Sequence, residues 1–199
     1  MFQPPEWFDA DQPQFMLDMY PELESKMRIY EMAGSLGVLE SLGVLPEKVT
    51  DVFEFGSGVG EGLVALDMFA DPRGAAVTGS EVTSERYKAA KVAEILFNVG
   101  DVVGNGNIHM ESNPESFDLV VAQMFGSLNF EGKLTKDFIS ASMIALRVGG
   151  IAMVSSDVTT MRHFETIAIG TLQPAQFEVI DPSVLPSGLT HLPHIVLKK

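Results

Sequence analysis

FEFGSGVGEG, residues 53–62, puts a carboxylate, Glu54, at the end of an apolar run and then glycine at every second position: Gly56, Gly58, Gly60 and Gly62. Glycine lets the backbone turn sharply and lets a ligand approach closely, because no Cβ stands in the way. A helix that begins just after such a loop offers free N–H groups to the ligand. Open α/β sheets bind ligands beyond the carboxyl ends of their strands, where the strand order reverses, and the first strand normally sits there. Residues 53–62 therefore read as a strand–loop–helix cradle for a nucleoside-like ligand. The charge narrows the choice. A pyrophosphate-binding fingerprint, G-x-G-x-x-G, would need glycine at position 61, which is Glu61, and Glu54 would face the phosphates. A cationic ligand instead makes Glu54 an asset.

Outward from this stretch the chain alternates between strand and helix patterns. From Pro21 the period is helical, with Leu23, Met27, Tyr30 and Ala33 at three- and four-residue spacing, and Gly43 followed by Pro46 marks its stop. TDVFEF reads as a strand, EGLVALDMFA as a helix closed by the turn DPRG, AAVTGSE as a strand, and SERYKAAKVAEILFNVG as a helix. GDVVGNGN reads as a loop, NIHME as a short weak strand and SFDLVVAQMF as a strong one. LTKDFISASMIALRVGG reads as a helix with Arg147 in its last turn, followed by the strand IAMVSSD, the helix TTMRHFETIAIG and the strands QFEVID and HIVLKK. Strands alternating with helices imply a mostly parallel sheet covered on both faces. The last two strands have no long helix between them and so should pair antiparallel at one edge. No linker or composition break interrupts the chain, so residues 1–199 are expected to form one domain, with 1–30 as an N-terminal arm or lid and about 31–199 as the core.

The motifs together resemble the class I (Rossmann-like) S-adenosylmethionine-dependent methyltransferases over roughly residues 30–199. EFGSGVG matches the family's E/D-x-G-x-G-x-G motif. VTGSEVTSERYKAAK matches its second strand, with Glu81, 21 residues past Gly60, as the acid at the strand's end. SFDLVVAQMF is similar to its fourth strand, and LRVGGIAMV to its double-glycine turn and fifth strand. The resemblance implies an α/β, three-layer Rossmann-like sandwich with a mostly parallel seven-stranded sheet, an antiparallel edge strand and an N-terminal helical extension. It implies S-adenosyl-L-methionine as cofactor, bound by Glu54, Gly56, Ser57, Gly58, Gly60, Glu81, Val82, Glu111, Ser112 and Gln123. In that role Glu81 holds the ribose hydroxyls, and Glu111 and Ser112, after the third strand, contact adenine. The chain departs from the pattern in having HMESNPES where the family often has an acidic signal, and AQMFG, not an N-P-P-Y-like motif, after the fourth strand. The second departure argues against methylation of DNA bases or of protein glutamine.

Catalytic candidates are fewer. Gln123, Met124 and Phe125 follow the fourth strand, where acceptor and methyl group would meet. Asp157 ends the fifth strand and either binds or deprotonates an acceptor or caps the next helix. His163 lies on that helix, where it is either a general base or an inert surface residue. His191 and His194 lack the company a metal site needs, so no metal is expected. Trp7, Phe8, Phe15, Met16, Met19 and Tyr20 in the arm would close over the site, pack on the sheet edge or join copies of the chain in a homo-oligomer. A nicotinamide-dependent oxidoreductase and a non-catalytic binding module are the competing readings. The missing third glycine weighs against the first and the intact motif against the second.

Composition bounds the partners. The formal charge is −14, a field that repels phosphate backbones and disfavours nucleic acid, so a small-molecule acceptor is expected. There is no apolar run of membrane-spanning length and no signal-peptide pattern at the start. Cysteine is absent, which rules out disulfides and thiolate ligands and fits a cytoplasmic setting.

Overall fold

A computed structural model describes Pro5 and residues 23–97, 102–123, 132–180 and 192–199. The expected arm aromatics, together with Met124, Phe125 and His191, lie outside the described residues. Helix α1 (Leu23–Ser41) precedes strand β1 (Asp51–Phe55), and then come α2 (Glu61–Ala70), β2 (Ala76–Ser80), α3 (Ser84–Phe97), β3 (Val102–Val103) and α4 (Gly106–Ser112). The chain continues with β4 (Phe117–Gln123), α5 (Lys133–Ala145), β5 (Leu146–Ser155), α6 (Val158–Thr171), β6 (Phe177–Ile180) and β7 (His194–Lys198). Gly43 stops α1 as expected: its φ is +63°, its N–H bonds the Glu40 carbonyl, and the Val44 N–H reaches back to Leu39.

The strands form one seven-stranded sheet in the order β3-β2-β1-β4-β5-β7-β6. β1 pairs parallel with β2 and β4, and β4 with β5. β7 runs antiparallel to both β5 and β6, so the antiparallel pairing lies at one edge, with β7 as the reversed strand. Alternate residues of β1 serve opposite faces. Val52 packs with Leu119, Val121 and Met153 beneath Ile29, Met32 and Leu36 of α1 and Leu63 of α2. Phe53 packs with Val120 and Ala152 against Phe138 of α5 and Phe164 of α6. The result is three layers, and the reversal of strand order falls between β1 and β4.

Two sequence expectations fail here. The third strand is Val102–Val103, inside the stretch read as a loop, and NIHME belongs to helix α4 instead of a strand. The Asn105 side chain accepts the Ile108 N–H and caps that helix, and Met110 anchors it in the core. Ile108 and Met110 alternate over only five residues, too short a stretch to carry a decisive period. Arg147 does not end a helix either. It lies on β5, where its guanidinium bonds Asp51 and Asp118, both at 2.8 Å, and Thr50 at 3.1 Å, clamping the amino ends of β1 and β4. Asp118 also accepts from the backbone N–H groups of Thr50 and Asp51, and these bonds hold its carboxyl below the ordinary carboxylate range despite burial.

Candidate functional site

The loop after β1 takes the form that its glycines require. Gly56, Gly58 and Gly60 have φ of +79°, +60° and +104°, a region that residues with a Cβ rarely enter. The turn is tied to the tip of β2: the Ser57 N–H bonds the Ser80 carbonyl at 2.7 Å, and the Gly56 N–H approaches the Ser80 hydroxyl at 3.3 Å. Glu81, just past β2, accepts the Gly58 N–H at 3.1 Å on one carboxylate oxygen and the Thr83 N–H at 2.7 Å on the other. The expected acid at the second strand tip is thus fixed against the glycine loop. Beside it, Val82 is 66% exposed, an apolar side chain presented to solvent.

Glu54 stands differently. It is only 3% exposed, its Oε2 has no hydrogen-bond partner among the described residues, and no described cation pairs with it. Gly62, the fourth glycine, makes room for it. A Cβ at position 62 would fall within the carboxylate, 2.7 Å from Cδ, and 3.1 Å from Met32 Cε of α1. Burial, reinforced by the charges of Glu61 and Glu81, pushes the Glu54 carboxyl up to about 8. Glu61 is compensated, since its carboxylate accepts the Val59 N–H at 3.2 Å and lies 3.6 Å from the Arg28 guanidinium of α1.

A shallow cleft opens over this loop, lined by Arg28, Glu54, Gly56, Ser57, Gly58, Glu61, Gly62 and Gln123. Gln123, at the end of β4, turns a buried Nε2 with no partner among the described residues toward it. The register places Gln123 opposite Ser155 and Ser155 opposite His194, so the three share a sheet face. Glu54, opposite Val121, shares it too. Ser155 is buried, and its hydroxyl likewise lacks a partner among the described residues. His194 is a core residue: its Nε2 lies 2.9 Å from the Ser35 hydroxyl, and burial pushes its pKa down to about 4.

Of the sequence candidates, Glu54, Gly56, Ser57, Gly58 and Gln123 meet at the cleft; Glu81 joins through Gly58, and Gly60 shapes the turn. Glu111 and Ser112 do not meet it in this way. Both are exposed in the last turn of α4, away from the tip of β3, where Gly104 and Asn105 stand instead. The misread strand carried that assignment with it. Asp157 caps α6, accepting the Thr159 and Thr160 N–H groups and the Thr160 hydroxyl, which holds its carboxyl below the ordinary range. His163 is exposed on the same helix. Arg28 and the role of Gly62 escaped sequence reading. Nothing local to Arg28 distinguishes it, although the spacing of Arg28, Met32 and Ser35 puts all three on one helix face. Among the described residues no group of His, Asp or Glu is placed to hold a metal ion, and no helix is long and apolar enough to cross a membrane.

No protein-family model matches the sequence, and no curated protein matches it. Solved structures do match the fold. A TehB-like S-adenosylmethionine-dependent methyltransferase from Corynebacterium glutamicum superimposes with a TM-score of 0.59 at 17% identity, over 83% of this chain and 88% of the other. An S-adenosylmethionine-dependent O-methyltransferase from Thermotoga maritima gives 0.58 at 15% identity, over 82% of this chain and 64% of the other. A ribosomal protein L11 methylase from Lactobacillus delbrueckii subsp. bulgaricus gives 0.55 at 18% identity, over 83% and 77%. With its strand order, its reversed β7 and its glycine turn at the tip of β1, the chain has the fold of the class I, Rossmann-like S-adenosylmethionine-dependent methyltransferases.

Proposed function

We propose that the protein is an S-adenosyl-L-methionine-dependent methyltransferase acting on a small-molecule acceptor. The observation that carries this reading is the buried Glu54 carboxyl, without a partner on Oε2 among the described residues and opening on the cleft beside a glycine-rich turn. A dry carboxyl in that position suits a cationic ligand, whose charge stabilises its ionised form, whereas a pyrophosphate offers it no counter-charge. The wider pattern of charge agrees. Glu54, Glu61 and Glu81 surround the loop, with Arg28 as the counter-charge from α1. That pattern complements a ligand end with an ammonium, a sulfonium and one carboxylate. A Cβ at Gly58 would lie 3.1 Å from Glu61 Oε2, so the bare backbone there keeps the cleft open.

When bound, the cofactor would supply an electrophilic methyl group on its sulfonium. The residues of this chain would hold and orient. Glu54 would sit against positive charge, Arg28 would receive the amino-acid carboxylate, and Glu81, its two oxygens already oriented by backbone N–H groups, has further lone pairs for ribose hydroxyls. Exposed Val82 offers an apolar surface for the adenine ring. The Gln123 amide would orient the acceptor at the mouth of the cleft, next to Ser155. Placement of this kind supplies about 7–11 kcal/mol in well-oriented reactions, so no dedicated base is required for an acceptor that is unprotonated at working pH. The charge of −14 favours a small molecule over nucleic acid as acceptor.

Calorimetric titration with S-adenosylmethionine, S-adenosylhomocysteine and NAD tests the reading. The first two should bind and NAD should not. Gly58→Val and Glu81→Ala should weaken binding, the second by about 1.5–3 kcal/mol. NAD binding in preference to the sulfur nucleosides, or full affinity in both variants, would overturn it.

A further inference from the structure

Three carboxyl groups crowd one glycine loop, and the hydrogen bonds divide them unequally. Glu81 accepts two backbone N–H groups, from Gly58 and Thr83. Glu61 accepts one, from Val59, and has the Arg28 guanidinium 3.6 Å away. Among the described residues Glu54 has neither on Oε2, and its Oε1 is directed at the backbone of Gly62, which has no side chain. Among the described residues the groups facing it are Met32 from α1, Glu61 from α2, Glu81 from the tip of β2, and Gln123 from β4 across the cleft, and Arg28, which also lines the cleft, pairs with Glu61. An ionised carboxylate in that setting would be desolvated, flanked by two negative charges and, among the described residues, without a donor on Oε2. A carboxylic acid there meets none of these penalties.

We propose that Glu54 is a neutral acid in the free protein and releases its proton when a cationic ligand arrives, so that binding exchanges one cation for one proton. The identity of the cation rests on the methyltransferase reading; the protonated acid does not. An ammonium or sulfonium supplies the counter-charge that the described residues withhold, and with it in place the carboxylate becomes the stable form. The O–H bond of Glu54 breaks, its electron pair stays on the carboxylate, and the proton leaves to solvent. The burial of Glu54 pushes its pKa to about 8, in the direction this exchange requires.

Two experiments test it on the full chain. Infrared spectra of protein labelled with carbon-13 glutamate, wild type minus Glu54→Gln, should show a carboxylic acid carbonyl band at pH 6 that is lost by pH 10. Its absence at pH 6 would overturn the proposal whether or not any ligand binds. Titration with S-adenosylmethionine at pH 7, in two buffers of different ionisation enthalpy, should then show release of close to one proton, falling toward none at pH 9. Below pH 7 the apparent Kd should weaken about tenfold per pH unit in the wild type and stay level in Glu54→Gln. The ligand's own amine cannot imitate this, because it would take protons up. Measurable binding at pH 7 with no proton release overturns the exchange and leaves the cofactor reading standing. A carbonyl band without any binding overturns the cofactor reading and leaves the protonated acid standing.

Discussion

Gly62→Ala isolates the steric basis of the site. Gly62 is the second residue of α2, where alanine would ordinarily be the better helix former by about 0.5–1 kcal/mol. Here the new methyl would enter the space of the Glu54 carboxylate, 2.7 Å from Cδ, with Met32 Cε at 3.1 Å behind it. Glu54 is 3% exposed, so the helix or the carboxyl must shift to admit the methyl. Overpacking a tight interior costs about 1–3 kcal/mol, which outweighs the gain in propensity and leaves a net loss of about 1–2 kcal/mol. For a chain of this size that is a fall in Tm of about 2–8 °C. Gly170→Ala is the matched control. It too lies in a helix, α6, but a Cβ there meets nothing within 4 Å, so its Tm should rise by about 2 °C. The double variant Gly62→Ala/Glu54→Ala removes the carboxyl that the methyl strikes and should recover stability beyond the sum of the two single changes. Calorimetric unfolding at pH 7 reads the stability, and titration with S-adenosylmethionine reads the displaced carboxyl as lost affinity. If Gly62→Ala raised Tm as Gly170→Ala does, with ligand affinity unchanged, the account of Glu54 held in a pocket made by a missing side chain would be refuted.

Other outcomes follow from the same geometry. Arg28→Met should weaken S-adenosylmethionine by about ten- to a hundredfold, while a decarboxylated analogue binds wild type and variant alike; equal loss with both ligands in titration would remove Arg28 from the carboxylate site. Asp118→Asn breaks the clamp at the amino ends of the strands and should cost about 1–3 kcal/mol in urea unfolding without changing ligand affinity, since Glu54 and Gln123 lie at the other end. Because folding lowers the Asp118 pKa, its contribution is complete above the ordinary carboxylate range and is lost as pH falls below that range through the lowered folded value, so wild type and variant should converge in acid. His194 works in a different window. Its folded pKa is about 4 against 6.5 when unfolded, so its contribution is present above pH 6.5 and is lost between there and pH 4. His194→Gln should flatten the urea midpoints over that interval, and an unchanged slope would count against a buried neutral imidazole.

The sequence by itself determined the alternation of strand and helix, the turn at Gly56–Gly60 and the acids at the tips of β1 and β2. Each of these is written in a few adjacent residues: a glycine that must take positive φ, an apolar run, a charge at its end. Tertiary structure alone decided the rest. It made α4 a helix, because a single Asn105 cap and a single buried Met110 outweigh an undecided local pattern. It put Arg147 on a strand, where two aspartates reach it, and joined Ser35 to His194 across 159 residues. It brought Arg28 from α1 over the glycine loop and gave Gly62 its reason, which is the volume of the Glu54 carboxylate. A side chain's neighbours along the chain fix its conformation. What it touches, and with it whether a buried acid keeps its proton, depends on which distant elements close over it.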